Sequence, residues 1–235
     1  MLKLIVTGLV GRMGGRIAAL ARDDRRFGLL AGVVRGDEDA HAAHVPVVRE
    51  EALGGLLARA DVLIDFTEPA ASVRFAGLAA AARTPVVIGT TGLSARQVGR
   101  LRAASRRTAV FFSPNFSPGM TVLFALAQAA AAALPGYDAG IREVHHTAKK
   151  DSPSGTALRL AEAAGRPGRR VPVVSQRLGA VVGDHTLTLA GPAERLELTH
   201  RAESRDAFAR GALDAAAWVA GRKPGLYDMR RMLGI

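Results

Sequence analysis

The sequence predicts an α/β protein in which a doubly wound parallel β-sheet is joined to a smaller α+β domain with a mixed sheet. In the first half of the chain, short apolar runs alternate with alanine-rich helical segments, a pattern typical of a parallel sheet with helices on both faces. After residue 118 the pattern changes to a long helix followed by several segments of strand period. A glycine-rich turn follows the first strand directly.

The first domain is predicted to begin with a buried strand at 2–7, which ends at Gly8, and an amphipathic helix at 12–21. Pro69 suits the first turn of one helix, which runs to about residue 83, and Ser94 suits the N-cap of the next, which runs to about residue 106. Runs rich in Val, Ile, Leu and Phe predict further strands at 28–34, 61–66, 85–88 and 108–112.

The second domain is predicted to contain a long helix at 119–134 and a mixed or antiparallel sheet. Segments that alternate or run apolar at strand period predict its strands at 141–144, 172–178, 185–190 and 195–200. A final helix at 204–220 has an apolar stripe and is expected to pack back onto the first domain. We therefore expect one domain from 1–118 and 205–235, and a substrate-binding and oligomerisation domain from 119–204.

The composition is that of an ordinary globular protein, because 49% of the 235 residues are hydrophobic and 23% are charged. No apolar run approaches the ~20 residues of a membrane helix, and the chain begins as a strand without the regions of a signal peptide. The absence of Cys excludes disulfides, thiolate zinc sites and a Cys nucleophile, and it agrees with a reducing compartment. We expect a cytoplasmic protein with no membrane partner.

The formal net charge is +11, from 32 Lys and Arg against 21 Asp and Glu, and arginine carries nearly all of the positive charge. A field of this sign attracts polyanions. The arginines are scattered rather than gathered in a basic tail, and with 5% aromatic residues no surface for stacking bases is visible. Solvated arginine-rich faces are favoured over nucleic-acid binding, so no nucleic-acid partner is expected.

The turn between the first strand and the first helix reads Gly8-Leu9-Val10-Gly11-Arg12-Met13-Gly14. Glycines here permit a tight turn and the close approach of backbone to phosphate, while the N-terminus of the helix favours an anion. The spacing departs from the common G-x-G-x-x-G, and a tight turn that binds nothing is the alternative. Because a strand precedes it and a helix follows it, the turn predicts the pyrophosphate site of a dinucleotide.

The choice of dinucleotide is indicated by Arg35, at the end of the second predicted strand. About 20 residues after such a glycine turn, the fold usually carries an Asp or Glu that binds the ribose hydroxyls of NAD. Arg35 can instead pair with a 2′-phosphate, unless Asp37 or Glu38 supplies the carboxylate. The sequence favours NADPH, with NADH as the second candidate, and a solvated loop arginine is the alternative.

Three further segments lie at the carboxyl ends of predicted strands, where open α/β sheets place their ligands. Small side chains and backbone amides at such positions suit contact with a nicotinamide ribose or carboxamide, although Gly and Thr are also ordinary turn residues. Each segment is therefore a candidate wall of the cofactor site. The segments are Asp65-Phe66-Thr67, Gly89-Thr90-Thr91-Gly92 and Ser113-Pro114-Asn115-Phe116.

The strongest chemical signal is the clustering of His145, His146, Lys149 and Lys150, since both residue types are scarce in this chain. A lone His is more often structural, and a Lys pair is usually solvated, but the clustering of both favours a function. His is the side chain best suited to give or take a proton near neutral pH. The segment therefore predicts general acid or base chemistry.

The residues Ser154-Gly155-Thr156 are predicted to open a helix that runs to about residue 164, with Ser154 as its N-cap. Free N–H groups at a helix N-terminus bind carboxylates, so an anionic ligand is expected there. A metal site is the rival chemistry. The adjacent side chains of His145 and His146 do not converge easily on one ion, and no carboxylate lies at a recognised ligand spacing, so no metal is expected.

Motifs along nearly the whole chain carry a family resemblance. They are Gly11-Arg12-Met13-Gly14, Asp65-Phe66-Thr67, Gly89-Thr90-Thr91-Gly92, Asn115-Phe116-Ser117, Glu143-x-His145-His146-x-x-Lys149-x-Asp151-x-Pro153-Ser154-Gly155-Thr156, Gly183-Asp184-His185-Thr186 and Gly225-Leu226-Tyr227-Asp228-Met229. Together they resemble the dihydrodipicolinate reductase family, also called 4-hydroxy-tetrahydrodipicolinate reductase. The long histidine-containing segment is the most specific of these motifs.

The resemblance implies NAD(P)H-dependent reduction of 4-hydroxy-tetrahydrodipicolinate, or of the dihydrodipicolinate formed from it, in lysine and diaminopimelate biosynthesis. It implies that His145 and Lys149 donate protons, and that a Rossmann-like domain binds the cofactor. A homotetramer formed through the second-domain sheet is also implied. The small dicarboxylate substrate would be held by His146, Lys149, Ser154, Gly155 and Thr156. The cofactor would be lined by Gly8, Leu9, Val10, Gly11, Arg12, Met13, Arg35, Phe66, Thr67, Gly89, Thr90, Thr91, Ser113, Pro114, Asn115 and Phe116.

Two alternative functions stay open at this point. Another small two-domain dehydrogenase, of an amino-acid or homoserine type, would share the nucleotide-binding domain but not the His145-His146-x-x-Lys149 site. A redox-sensing, DNA-binding protein would account for the +11 charge and the glycine turn, although no helix-turn-helix or basic tail supports it. The chain also departs from the family by carrying Arg35 and by being compact between Val34 and Asp61.

Overall fold

The computed structural model describes residues 1–36, 45–166 and 168–235, and the chain forms two compact units. The first unit contains Met1–Phe116 and Phe208–Gly234, and the second contains Ser117–Ala207 with Ile235. The chain thus leaves the first unit after Phe116 and returns to it at Phe208. None of the described helices is long and apolar enough to cross a membrane.

The described residues form strands and helices that alternate through most of the chain. In chain order the strands are β1 (Leu2–Thr7), β2 (Phe27–Val34), β3 (Val47–Arg49), β4 (Val62–Asp65), β5 (Val86–Ile88), β6 (Ala109–Phe112), β7 (Asp138–His145), β8 (Val173–Arg177), β9 (Asp184–Ala190), β10 (Arg195–Arg201) and β11 (Gly225–Tyr227). The helices are α1 (Arg12–Asp23), α2 (Leu53–Leu57), α3 (Pro69–Ala82), α4 (Ala95–Ala104), α5 (Pro118–Ala133), α6 (Gly155–Ala164), α7 (Asp206–Val219) and α8 (Met229–Leu233).

A seven-stranded sheet in the order β11-β6-β5-β4-β1-β2-β3 forms the first unit, and every pairing in it is parallel. The chain proceeds outward in one direction from β1 through β2 to β3, and in the other direction from β4 through β5 to β6. In sheets of this kind, ligands bind at the carboxyl ends of the strands beside the point where the direction reverses. The predicted doubly wound, Rossmann-like sheet is confirmed.

Helices cover both faces of this sheet because alternate residues of each strand point to opposite faces. On one face Val6 packs with Ile17 of α1 and Leu213 of α7. On the other face Ile5 packs with Phe75 of α3 and with residues of α2 and α4. Strands buried on both faces read as continuous apolar runs, which is why the sequence revealed them.

The second unit is built on a four-stranded sheet in the order β10-β9-β7-β8. Strand β9 runs antiparallel to β10 and β7, whereas β7 and β8 are parallel, so the predicted mixed sheet is confirmed. Helices α5 and α6 pack on one face, where Leu123 and Leu160 meet Ile141 and Leu187. His145, at the end of β7, lies on this same face because two-residue steps from Ile141 lead to it.

The sequence predictions missed the shortest elements of the fold. Strands β3 and β11 have three residues each, and helices α2 and α8 have five, too few for a periodic pattern to be recognised. Strand β7 also begins at Asp138 rather than at Ile141. Asp37 and Glu38, the alternative carboxylates for the cofactor ribose, lie outside the described residues.

Gly211 allows α7 to approach the backbone at the end of the β6 segment, and its replacement tests this packing. A Cβ at this position would lie 1.8 Å from the carbonyl oxygen of Phe116, so Gly211→Ala must displace the helix. We expect a loss of about 1–3 kcal/mol in the free energy of unfolding, measured by urea denaturation. Gly77→Ala in α3, where a Cβ meets nothing within 4 Å, is the matched control and should not destabilise the protein. Equal stabilities of the two variants would contradict the proposed close contact.

Candidate active site

The glycine turn of the first unit has a geometry that only glycine allows. Gly8 has φ +71°, and a Cβ there would lie 2.8 Å from the carbonyl oxygen of Phe66. A Cβ on Gly14 would lie 2.1 Å from the carbonyl oxygen of Gly8. The N–H of Gly11 donates to that same oxygen at 2.9 Å, which closes the turn at the start of α1. The turn therefore presents bare backbone at a helix N-terminus, as the pyrophosphate of a dinucleotide requires.

A pocket of about 220 Å³ opens beside this turn. Its walls include Gly8, Val10, Arg35, Phe66 and Thr67, all predicted to contact a cofactor. The guanidinium of Arg35 lies 3.8 Å from the carboxylate of Glu68, and both side chains are mostly exposed. Such an exposed ion pair contributes little to stability. The residues present fit a nicotinamide dinucleotide.

Three of the residues predicted to line the cofactor have buried side chains. Leu9 is buried in a small cluster with Ala18 and Val34, and its N–H already donates to a backbone oxygen. Phe116 is buried between aromatic neighbours in the main core. Thr90 is buried, and its hydroxyl belongs to a local hydrogen-bond network. Their place beside the cofactor stays a prediction, and the sequence segments did not show that these three side chains are buried.

The network around Thr90 is centred on Asp65, which is fully buried at the end of β4. Its carboxylate accepts hydrogen bonds from the hydroxyls of Thr7 at 2.7 Å, Thr67 at 2.6 Å and Thr90 at 3.3 Å, and from Ser72. Burial raises the pKa of Asp65, and these hydrogen bonds oppose the rise. Asp65 thus ties together the ends of β1, β4 and β5. This role was not predicted from the sequence, because Thr7 and Thr90, which connect Asp65 to β1 and β5, lie far from it along the chain.

The second unit contains His145, whose Nδ1 is hydrogen-bonded to the carboxylate of Glu143. No part of the Glu143 side chain is exposed. Its Oε1 accepts the N–H of Ser154 at 3.2 Å and both terminal nitrogens of Arg177 at 3.1 Å. Glu143 therefore joins β7 to β8 and to the start of α6. From the sequence, Glu143 was recognised only as part of a motif, and Arg177 was not predicted to belong to the site.

The loop that carries Lys149 is held by the same group of residues. The ammonium of Lys149 lies 2.7 Å from Asp151 Oδ1, and Arg177 donates to the carbonyl oxygen of Asp151 at 2.5 Å. The N–H of Lys149 donates to the carbonyl oxygen of His146 at 3.1 Å. The residues predicted for proton transfer and substrate binding in this segment thus belong to one connected structure.

Ser154 caps α6 as predicted, because its hydroxyl accepts the N–H of Ala157 at 3.1 Å. The expectation that this helix N-terminus offers free N–H groups needs a correction at Ser154. Its N–H is already bound to Glu143, and its hydroxyl also contacts His185 Nε2 at 3.3 Å. Ser154 is buried, and its N–H and hydroxyl are both engaged in the local structure.

His185 of β9 completes the buried cluster, and its ring stands edge-on to that of His145 with 5.1 Å between centroids. One donor atom each from Glu143, His145 and His185 lie within 4.8 Å of one another, an arrangement from which metal sites are built. No metal was expected from the sequence, because residue spacing did not reveal that Glu143 and His185 lie beside His145. Arg177 already occupies one oxygen of the Glu143 carboxylate, which disfavours a second cation there.

Burial and neighbouring charges set the protonation of this cluster. Burial lowers the pKa of His145, and the charges of Lys149 and Arg177 lower it further, while Glu143 opposes both effects. Burial by itself raises the pKa of Glu143, but the hydrogen bonds and positive charge around its carboxylate outweigh burial and bring that pKa below its usual value. The pair at neutral pH is therefore a neutral imidazole beside a carboxylate.

Comparison with known proteins decides between the alternative functions. The family model for the N-terminal domain of dihydrodipicolinate reductase matches residues 2–116, and the C-terminal model matches residues 119–233. The chain belongs to the dihydrodipicolinate reductase family. A 4-hydroxy-tetrahydrodipicolinate reductase from Anaeromyxobacter dehalogenans is 41% identical, over 100% of this chain and 98% of that protein. Both domains of the family are thus present.

Solved structures show how widely this fold is shared. A dipicolinate-bound dihydrodipicolinate reductase from a Paenisporosarcina species has a TM-score of 0.82 at 23% identity, covering 97% of both chains. An aspartate dehydrogenase from Thermotoga maritima has a TM-score of 0.57 at 12% identity, covering 92% of this chain and 95% of that one. The fold alone therefore does not separate the reductase from an amino-acid dehydrogenase, whereas the family models do.

The buried neutral His185 makes stability dependent on pH. Burial is the main cause that lowers the pKa of His185 from 6.5 to about 3. As the pH falls below 6.5, the unfolded chain therefore takes up a proton that the folded protein does not, so the folded state loses stability. Between pH 6.5 and 5 we expect the free energy of unfolding to fall by about 2 kcal/mol less in His185→Gln than in the unchanged protein. Urea unfolding at each pH measures this difference. Parallel pH profiles in the two proteins would contradict a buried neutral His185.

Proposed function

We propose that this chain reduces 4-hydroxy-tetrahydrodipicolinate, or its dehydrated form, and that His145 and Lys149 handle the proton of the reaction. Family membership over both domains supports the substrate and the reaction class. The observation that carries the residue roles is the buried contact of His145 with Glu143, next to the N-terminus of α6. It joins a proton-transfer group to a place where a carboxylate can bind.

The substrate carries two carboxylates, and the second unit offers suitable partners for them. We assign their binding to His146, Lys149, Gly155 and Thr156, since a cationic side chain and a helix N-terminus both favour anions. Ser154, predicted to bind substrate, is assigned instead to shaping the start of α6, because its N–H and hydroxyl are already engaged.

Proton transfer begins from the neutral imidazole of His145. A bound dicarboxylate favours the charged imidazolium, because an opposite charge nearby stabilises it. His145 then takes up a proton at Nε2, while its Nδ1–H stays hydrogen-bonded to Glu143. The Nε2 proton is delivered to the substrate. The nicotinamide, when bound, supplies the hydride. Lys149, held at the same segment by Asp151, is assigned as the second proton donor.

The finer properties of the cofactor, assembly and location stay predictions. We assign a preference for NADPH over NADH to Arg35, which lies on the wall of the glycine-turn pocket. A homotetramer would form through the face of the second-unit sheet opposite α5 and α6, where Val174 is 60% exposed. The cytoplasmic location and the absence of a nucleic-acid partner rest on the composition and charge distribution of the sequence.

Replacement of the proposed proton donors tests the reaction mechanism. His145→Gln and Lys149→Ala should each lower kcat by about 100-fold or more, the usual scale for the loss of a general acid. Cofactor binding, followed by fluorescence titration with NADPH, should be unchanged because the glycine turn is untouched. Lys223→Ala, which removes a lysine of the other unit, is the control and should leave kcat as it was. If both donor variants had the kcat of the unchanged protein, this assignment would be wrong.

Replacement of Arg35 tests the choice of cofactor. Arg35→Ala should weaken NADPH binding by about 10-fold or more and leave NADH binding nearly unchanged, because only NADPH offers a 2′-phosphate to the guanidinium. Dissociation constants for both cofactors measure the effect, with Arg100→Ala on the exposed face of α4 as the control. Tighter binding of NADH than NADPH, persisting in Arg35→Ala, would refute the proposed role.

A further inference from the structure

Glu143 contacts several parts of the proposed active site at once. One of its oxygens is hydrogen-bonded to His145 Nδ1, and the other accepts Arg177 and the N–H of Ser154. Arg177 in turn donates to the carbonyl oxygen of Asp151, in the loop that carries Lys149. A buried ion pair thus connects both proposed proton donors with the start of the substrate-binding helix.

The contact with Glu143 fixes which nitrogen of His145 carries the proton. An ionised carboxylate only accepts hydrogen bonds, so Nδ1 must be the N–H donor. In the neutral imidazole, Nε2 is then the unprotonated nitrogen. Nε2 is therefore the atom that takes up a proton and gives it away.

Gly183, which precedes β9, provides the space around that atom. A Cβ on Gly183 would lie 3.0 Å from His145 Nε2, tighter than an ordinary contact. The backbone at Gly183 does not have a positive φ, so the conformation itself does not require glycine. Because Gly183 has no side chain, the space beside Nε2 is not filled by one. This is a separate indication that Nε2 is the nitrogen that exchanges the proton.

We propose that Glu143 and Arg177 are positioning residues for the reduction. Glu143 holds His145 as the Nδ1–H tautomer with Nε2 open, and Arg177 keeps Glu143 ionised and joins it to the Lys149 loop. The inference rests on the proposed function, in which His145 handles the proton. Neither residue is assigned a contact with the substrate.

The charges around His145 explain why both members of the ion pair are needed. Glu143 favours the imidazolium, whereas Lys149 and Arg177 disfavour it, and His185 is a buried neutral ring at its side. Without Glu143, burial and the charges of Lys149 and Arg177 would oppose protonation of His145, and none of the described groups named here would favour it. Without Arg177, Glu143 would be a buried carboxylate lacking its cation, a state that favours its protonated form. A protonated Glu143 would no longer require the Nδ1–H tautomer.

Imidazole NMR of Glu143→Gln tests the proposal directly. With the histidines labelled in carbon and nitrogen, the signal of His145 is identified as the one missing in His145→Gln. In the unchanged protein we expect Nδ1–H and a free Nε2. In Glu143→Gln we expect mixed tautomers and a titration midpoint at least about one pH unit lower, because the stabilising negative charge is gone. An unchanged tautomer and midpoint in the folded variant would overturn the proposal.

The kinetic counterpart separates positioning from general stability. Glu143→Gln should lower kcat by about 10-fold or more with little change in KM, and the limb of the kcat profile that falls with rising pH should move to lower pH. Glu162→Gln, on the exposed side of α6, is the matched control and should change neither. An unmoved limb with unchanged kcat would refute the positioning role.

Gly183→Ala supplies a second test that does not depend on the folding of Glu143→Gln. We expect the Nδ1–H tautomer to persist while kcat falls, because the added methyl group crowds Nε2 and leaves the Glu143 contact in place. Full activity in Gly183→Ala would show that Nε2 is not the nitrogen that exchanges the proton. Failure of the proposed function can be distinguished from failure of the positioning proposal. Full activity in His145→Gln would refute the proposed function, whichever tautomer His145 adopts in the unchanged protein.

Discussion

The second unit is organised by the need to stabilise one fully buried carboxylate, that of Glu143. An ionised group removed from water is very costly unless it is paired and hydrogen-bonded. Glu143 obtains those partners from β7, β8 and the first turn of α6, since His145, Arg177 and Ser154 all donate to it. The relative placement of these elements at the site is therefore tied to a single charge.

A second buried carboxylate, Asp65, is handled in a different way in the first unit. Its described partners are the hydroxyls of Thr and Ser side chains, which stabilise a negative charge less than a cation does. Its pKa is accordingly raised by burial, whereas that of Glu143 is lowered. The physical difference suits the two roles, because Asp65 needs only to hold strand ends together, and Glu143 must offer a charge to an imidazole.

Local signals in the sequence predicted much of the fold and part of the site. The glycine turn, Pro69 at the start of α3 and the caps Ser94 and Ser154 are each recognisable within a few residues, and the structure has them where they were predicted. The contacts of Glu143 with Arg177 and His185 join residues far apart along the chain and depend on strand register. Periodicity and spacing do not reveal register between distant strands, so these partners could not be predicted.

The same distinction explains why the fold could not identify the reaction. A parallel sheet with a glycine turn binds a dinucleotide in many dehydrogenases, and the likeness to an aspartate dehydrogenase shows that the whole two-unit architecture is shared as well. The reaction must therefore be argued from the side chains of this chain's own site. In this chain a carboxylate that no solvent reaches, with Arg177 on one oxygen and His145 on the other, gives the imidazole a defined tautomer. Specific chemistry thus depends on a few side-chain contacts between residues far apart along the chain.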